Sequence, residues 1–328
     1  MKAKHLLSLR ELSGDDIEEL FRRADEFRAE PRAHPTLLAG RTLALLFEQP
    51  STRTRAALET AMAQLGGSAI FLRREDSQLS RGESVADTAR ALSQIVDGIA
   101  ARVSAHQDLL DLARQSAVPV VNALSDALHP LQALTDLYTL RLRHGRLSGL
   151  KVAWVGDGTN VCHELLFGAA KLGMAVSVAA PRGYEPKAPI VRLASRDAHE
   201  AHGPAPVVGH DPRTAVGGAQ AVMTDAWVSM GQEGQAAARR QALAGYAVTA
   251  ELMALAEPRA SFLHPLPARR GEEVAAEVID GPQSLVMEQV RHRLPVTKAV
   301  LAALLAGCAR HRHPGSGRLR RAPRKPAA

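Results

Sequence analysis

One pattern recurs along this chain and narrows what it can fold into: a short apolar run, a polar turn, then an amphipathic stretch at helical spacing. "RTLALLFE" runs into "STRTRAALETAMAQLGG", where Leu58, Met62 and Leu65 share one helix face and Gly66-Gly67 ends it. "AIFL", "GIAARV" and "VPVVNAL" read as further strands, "DTARALSQI" as a helix between two of them, and "HPLQALTDLYTLRLRHG" as a long helix stopped by Gly145. The pattern restarts near Leu150 with "KVAWVGDG", the helix "VCHELLFGAAKLG" and the strand "AVSVAAP". "AQAVMTD" and "SFLHPLP" are expected as strands running into loops, and a last helix is expected from about Val296 to Leu305. Strands alternating with helices predict parallel sheets with right-handed crossovers. The expected fold is therefore α/β, with two similar-sized domains, each a parallel sheet flanked by helices.

Composition excludes several function classes. The 328 residues carry a formal charge of +7, yet the segment from Ala309 to the end holds six Arg, one Lys and no acid. That leaves 34 basic against 34 acidic residues elsewhere, so the globular part is neutral and the tail reads as a solvated basic extension. With three Tyr, two Trp and six Phe, stacking platforms for bases are scarce, and no nucleic-acid partner is expected. No apolar run approaches the roughly 20 residues of a bilayer span, so no membrane partner is expected. Two cysteines, Cys162 and Cys308, make neither a disulfide framework nor a metal site, which fits a reducing cytoplasm. The start, "MKAKHLLSLREL", is not expected to be a signal peptide.

In open parallel sheets, ligands sit beyond the carboxyl ends of strands, and the chemistry-bearing clusters fall there. Ser51 to Arg55 place three hydroxyls and two guanidiniums where a strand hands over to a helix. Helix N-terminal amides favour anions, and arginine forks grip phosphate oxygens, so this stretch reads as a phosphate-type site. "GDGTN", Gly156 to Asn160, lacks the third glycine of a dinucleotide fingerprint, because Val161 stands there. A nicotinamide cofactor is therefore not expected. Asn160 is either a cap or a substrate contact. His129 in "HPLQ" and His264 in "HPLP" both follow apolar strands, and "TDAWVSMGQE" ends another with Asp225, Ser229 and Met230 in a loop.

Taken together, "FEQPSTRTR", "GESVADTARAL", "ARV", "HPLQALTD", "GDGTNVCHELL", "TDAWVSMGQE" and "RRGEEV" resemble the carbamoyltransferases in order and spacing, from about Leu6 to Leu305. The Ser-Met-Gly loop and the "GDGTN" turn resemble the ornithine branch of that family. The resemblance implies a carbamoyl phosphate domain over 1–140, an amino-acid domain over 141–290, a C-terminal helix over 291–308 that returns to the first domain, and a basic tail over 309–328. It implies carbamoyl transfer from carbamoyl phosphate to the δ-amine of ornithine, with no cofactor or metal. Ser51, Thr52, Arg53 and Thr54 would hold the phosphate, supported by Arg55. Arg102 would meet the phosphate and the carbonyl oxygen. His129 would polarise the carbonyl, Gln132 would hold the carbamoyl NH2, and Arg293 matches a late arginine of the family. Backbone at Pro265 and Leu266 would also hold the NH2. Gln78 would reach a neighbouring subunit, which implies a homotrimer or a multiple of one. Asn160, Asp225, Ser229 and Met230 would hold ornithine.

One residue departs from the pattern. Ornithine enzymes typically read His-Cys-Leu-Pro where this chain has Pro265. A carbamoyltransferase for aspartate or a modified ornithine is therefore the alternative acceptor reading. A catalytically silent binding paralogue is the alternative of another class. The chemistry itself asks for preorganised donors: amine attack builds negative charge on the carbonyl oxygen and then on the leaving phosphate, and Arg, His and hydroxyl groups stabilise it where it develops.

Overall fold

The computed structural model describes residues 3–228 and 232–306. Two parallel sheets form. The first contains β1 (Thr42–Phe47), β2 (Ser68–Arg73), β3 (Gly98–Arg102) and β4 (Val120–Leu124) in the order β2-β1-β3-β4. Its helices are α1 (Gly14–Ala29), α2 (Arg53–Gln64), α3 (Val85–Leu92), α4 (His106–Gln115) and α5 (Pro130–His144). The second contains β5 (Lys151–Val155), β6 (Ala175–Ala179), β7 (Val207–Gly209), β8 (Ala221–Met223) and β9 (Ser261–Leu263) in the order β7-β6-β5-β8-β9. Around it lie α6 (Asn160–Lys171), α7 (Ala188–Glu200), α8 (Pro212–Val216), α9 (Ala236–Leu243), α10 (Ala250–Met253) and α11 (Ala276–Ile279). The last helix, α12 (Val286–Leu305), packs against α1, α2 and α5. The expected two-domain α/β architecture is what the chain adopts, including the returning C-terminal helix.

The inner strands of both sheets are buried on two sides, which is why they read as continuous apolar runs, whereas the edge strands β2 and β7 are partly exposed. Leu43, Ala44 and Leu45 of β1 are fully buried, as are Val152, Ala153 and Trp154 of β5. The long helix α5 carries the chain from one sheet to the other. It begins with Pro130 in its first turn, where a missing N–H costs nothing, and ends at Gly145 with φ 79°.

Two local readings change. The last helix begins at Val286, ten residues before the expected start, and runs through Pro295. A proline inside a helix costs roughly 3 kcal/mol. Here the buried face of α12, including Val296, Val300, Leu301 and Leu304, outweighs that penalty. Helix α1 goes unread in the sequence although Ser13 and Asp16 form a capping box at its start. The second glycine of "GDGTN" has a packing reason: a Cβ on Gly158 would lie 2.2 Å from the backbone nitrogen of Pro186.

The amino-terminal segment is tied to the second domain by Glu164, a fully buried residue of α6 whose Oε2 accepts the Leu9 N–H at 2.9 Å. Burial raises its pKa from 4.5 to about 8. A carboxyl raised in this way stabilises the fold only while protonated: its contribution is complete below 4.5 and is lost as pH rises through 8. Glu164→Gln should therefore leave the melting temperature nearly unchanged at pH 5. Above pH 8 it should stabilise the protein by on the order of 1–3 kcal/mol. Thermal unfolding at the two pH values checks this, and equal shifts at both would refute it.

Candidate active site

Register brings the strand ends together. Phe47 of β1 lies opposite Arg102 of β3, and Arg102 opposite Leu124 of β4, so three carboxyl ends open onto one crevice. The stretch after β1 turns directly into α2, which places Arg53 in the first turn and Thr54 in the buried interior. Arg102 is the last residue of β3. His129 occupies the N-cap position of α5, and Gln132 lies in that helix's first turn. Across the crevice, β8 leads to Asp225 and β9 to His264, Pro265 and Leu266. Arg293 comes from the far side, on α12.

Arg53, Arg102 and Arg293 converge on His129. Arg102 and Arg293 are buried, and burial lowers each pKa to about 10. Within those shifts burial comes first; Arg53 and Arg293 add to it at Arg102, while at Arg293 Asp136 opposes it and Arg53 adds to it. The His129 pKa falls well below its ordinary value, first through burial and then through the three guanidiniums. The imidazole is therefore neutral, with one nitrogen free to donate a hydrogen bond. Buried Arg102 Nε, Arg293 Nε and His129 Nδ1 have no protein partner. Each guanidinium is felt at the same imidazole, and like charges gathered around one point repel. The arrangement is complementary to a compact anion.

The cluster is cross-braced. Arg293 donates to Thr54 Oγ1 at 3.4 Å and to Gln132 Oε1. Arg53 Nη2 donates to the Leu266 carbonyl at 2.6 Å, joining α2 to the loop after β9. Leu266 has a positive φ of 57°, and its bond to Pro267 is cis. A cavity of about 280 Å³ opens here, lined among others by Thr52, Arg53, Gln132, Pro265 and Arg293.

Asp225 is half-buried beside these groups. Thr159 Oγ1 donates to its Oδ2 at 3.0 Å and the Ala226 N–H to its Oδ1 at 2.8 Å. Burial raises its pKa, opposed by the hydrogen bonds from the Ala226 N–H and Thr159. Asn160 begins α6 and donates its side-chain amide to the Ser125 carbonyl at 2.6 Å, four residues before His129. Arg239 of α9 braces the same region, pairing with Asp157 and donating to the Trp227 carbonyl at 2.6 Å.

Other sequence-derived candidates lie apart. The Arg55 guanidinium stacks 3.5 Å from the Phe71 ring centroid and pairs with Glu59 at 2.8 Å, facing β2 rather than the crevice. Gln78 is exposed on the short 3-10 turn Gln78–Arg81. Ser51 is half-buried before α2. Ser229 and Met230 fall outside the described residues. Sequence reasoning missed Asp136, Gln289, Glu273 and Arg239. Two of them carried a signal: Asp136 stands one helical turn after Gln132 and so shares its face, and Glu273 lies within the stretch "RRGEEV".

Residues 4–142 match the family model described as aspartate/ornithine carbamoyltransferase, carbamoyl-P binding domain. Residues 148–304 match its partner, the Asp/Orn binding domain. The chain belongs to the aspartate/ornithine carbamoyltransferase family. It is 49% identical over 308 residues to an ornithine carbamoyltransferase of Symbiobacterium thermophilum, covering 93% of this chain and 99% of that one. An anabolic ornithine carbamoyltransferase of Pyrococcus furiosus is 45% identical, with 94% and 98% covered. Among solved structures, ornithine carbamoyltransferase from Pyrococcus furiosus superposes with a TM-score of 0.89 at 45% identity, covering 93% and 98%. The anabolic enzyme from Campylobacter jejuni gives 0.87 at 40% identity, covering 92% and 99%.

Proposed function

We propose that the chain transfers the carbamoyl group of carbamoyl phosphate to the δ-amine of L-ornithine, giving L-citrulline and phosphate. The observation that carries this reading is the convergence of Arg53, Arg102 and Arg293 on a neutral His129 at the ends of three strands. The guanidiniums and the hydroxyls of Ser51, Thr52 and Thr54 hold the phosphate, with Arg55 supporting α2 from outside. Arg102, Thr54 and His129 meet the carbonyl oxygen, where negative charge grows during attack. Gln132 Oε1 and the carbonyls of Pro265 and Leu266 accept from the carbamoyl NH2. A proline at 265 still offers its carbonyl, so the donor side tolerates the missing cysteine.

Asp225 orients the incoming amine, with Asn160, Ser229 and Met230 at the amino-acid end. The departing phosphate is a basic group positioned to take the amine's proton. The anabolic name of the Pyrococcus furiosus relative supports placing the reaction in arginine biosynthesis. Gln78, exposed and away from its own crevice, serves an adjacent subunit in a trimer or a multiple of one.

The test is a citrulline colour assay with carbamoyl phosphate and either ornithine or aspartate, on protein sized by light scattering. Ornithine should be the better acceptor, its apparent affinity should tighten in Pro265→Cys, and activity should travel with trimers. Preference for aspartate would overturn the acceptor, and full activity in monomers would overturn the assembly. No turnover with any amine would leave the silent-paralogue reading in its place.

A further inference from the structure

We propose that Asp136 is a positioning residue that aims two of the acceptors of the carbamoyl amide, Gln132 Oε1 and the Leu266 carbonyl, at the donor. The inference rests on the function proposed above and extends it to a residue outside the expected site. Asp136 is fully buried on α5, and a carboxylate can only accept. Its Oδ1 receives Nε2 of Gln132 at 2.6 Å and Nε2 of Gln289, from α12, also at 2.6 Å. An amide that commits its NH2 in this way must turn its oxygen in the opposite direction.

For Gln132, that oxygen faces Arg293 and keeps a second lone pair for an N–H donor. For Gln289, the oxygen accepts the His264 N–H at 3.0 Å. The His264 ring then takes the Leu266 N–H on Nδ1 at 2.9 Å. Its proton is therefore on Nε2, which faces buried Glu273 at 3.3 Å. With its N–H held, the Leu266 residue presents its carbonyl to the crevice, where Arg53 meets it at 2.6 Å. One carboxylate thus sets the direction of two glutamine amides, and through them an acceptor on each side of the crevice. Burial raises its pKa only to about 6, so it remains an acceptor at neutral pH.

Leucine has nearly the same shape but neither donates nor accepts. In Asp136→Leu neither glutamine NH2 has the Oδ1 acceptor that fixes its direction, and an NH2 turned into the crevice opposes the carbamoyl NH2. A residue that merely held α5 to α12 would instead weaken every ligand alike.

The experiment measures KM and kcat for carbamoyl phosphate in Asp136→Leu, together with inhibition by inorganic phosphate and acetyl phosphate, which lack the amide. We expect the carbamoyl phosphate KM to rise roughly 10- to 100-fold, more than kcat falls, the range for one or two lost hydrogen bonds to buried partners. The two inhibition constants should change by less than about threefold. Gln289→Met spares Gln132 and cuts only the link to the Leu266 loop, so a smaller rise with the same selectivity is expected. It decides the matter by the same criterion should Asp136→Leu fail to fold. An unchanged KM in both variants, or a parallel loss of phosphate and acetyl phosphate, overturns the inference while the function stands. Failure of the wild type to use carbamoyl phosphate overturns the function and the inference together.

Discussion

Arg53→Ala lowers kcat/KM for carbamoyl phosphate by roughly 30- to 900-fold, corresponding to about 2–4 kcal/mol of lost transition-state stabilisation. Two observations set the size of this effect. Arg53 is one of the three guanidiniums that lower the His129 pKa, so it faces the same point as the buried Arg102 and Arg293. It also reaches across the crevice to the Leu266 carbonyl, which ties the phosphate-holding helix to the loop of the other domain. Removing it takes away a charge-assisted donor where phosphate leaves and frees that loop. The inhibition constant for inorganic phosphate should weaken in step. Wild-type turnover and phosphate inhibition in this variant would mean that the anion is held elsewhere.

The second large effect belongs to the acceptor. Asp225→Asn should raise the ornithine KM by roughly 30-fold to a few thousand-fold, since losing one member of a buried charged contact costs about 2–5 kcal/mol. The carboxylate is already oriented by Thr159 and the Ala226 N–H, so asparagine fits the space but carries no charge toward an ammonium or amine. Pro265 strengthens the expectation, because a proline side chain neither donates nor accepts and leaves amine orientation to Asp225. Initial rates against ornithine at saturating carbamoyl phosphate, with phosphate inhibition as control, give the answer. A KM within a few-fold of wild type would remove Asp225 from the acceptor site.

Much of the fold was legible because buried parallel strands write themselves as apolar runs and their helices as stripes at helical spacing. β1, β3, β4, β5 and β9 all fall on such runs, and the chemistry-bearing stretches follow them directly. "STRTR" and "HPLQ" could be read locally, since a helix start gathers its own donors within a few residues. The beginning of α12 could not, because Pro295 argues against helix from the inside and only packing against α1, α2 and α5 overrules it.

What the sequence by itself determined is the alternation of strand and helix, the ends at which ligands gather, and the anion-holding character of Ser51 to Arg55. Tertiary structure decided which distant residues complete that site. Arg293 meets Gln132 across 161 positions, and Gln289 meets Asp136 across 153. It also decided that Arg55, spelled into the same motif as Arg53, turns away to stack on Phe71. The physical reason is that helix and strand periodicity are local properties of the chain. The convergence of charges is set by how α12 folds back onto α2 and α5, which no short stretch records.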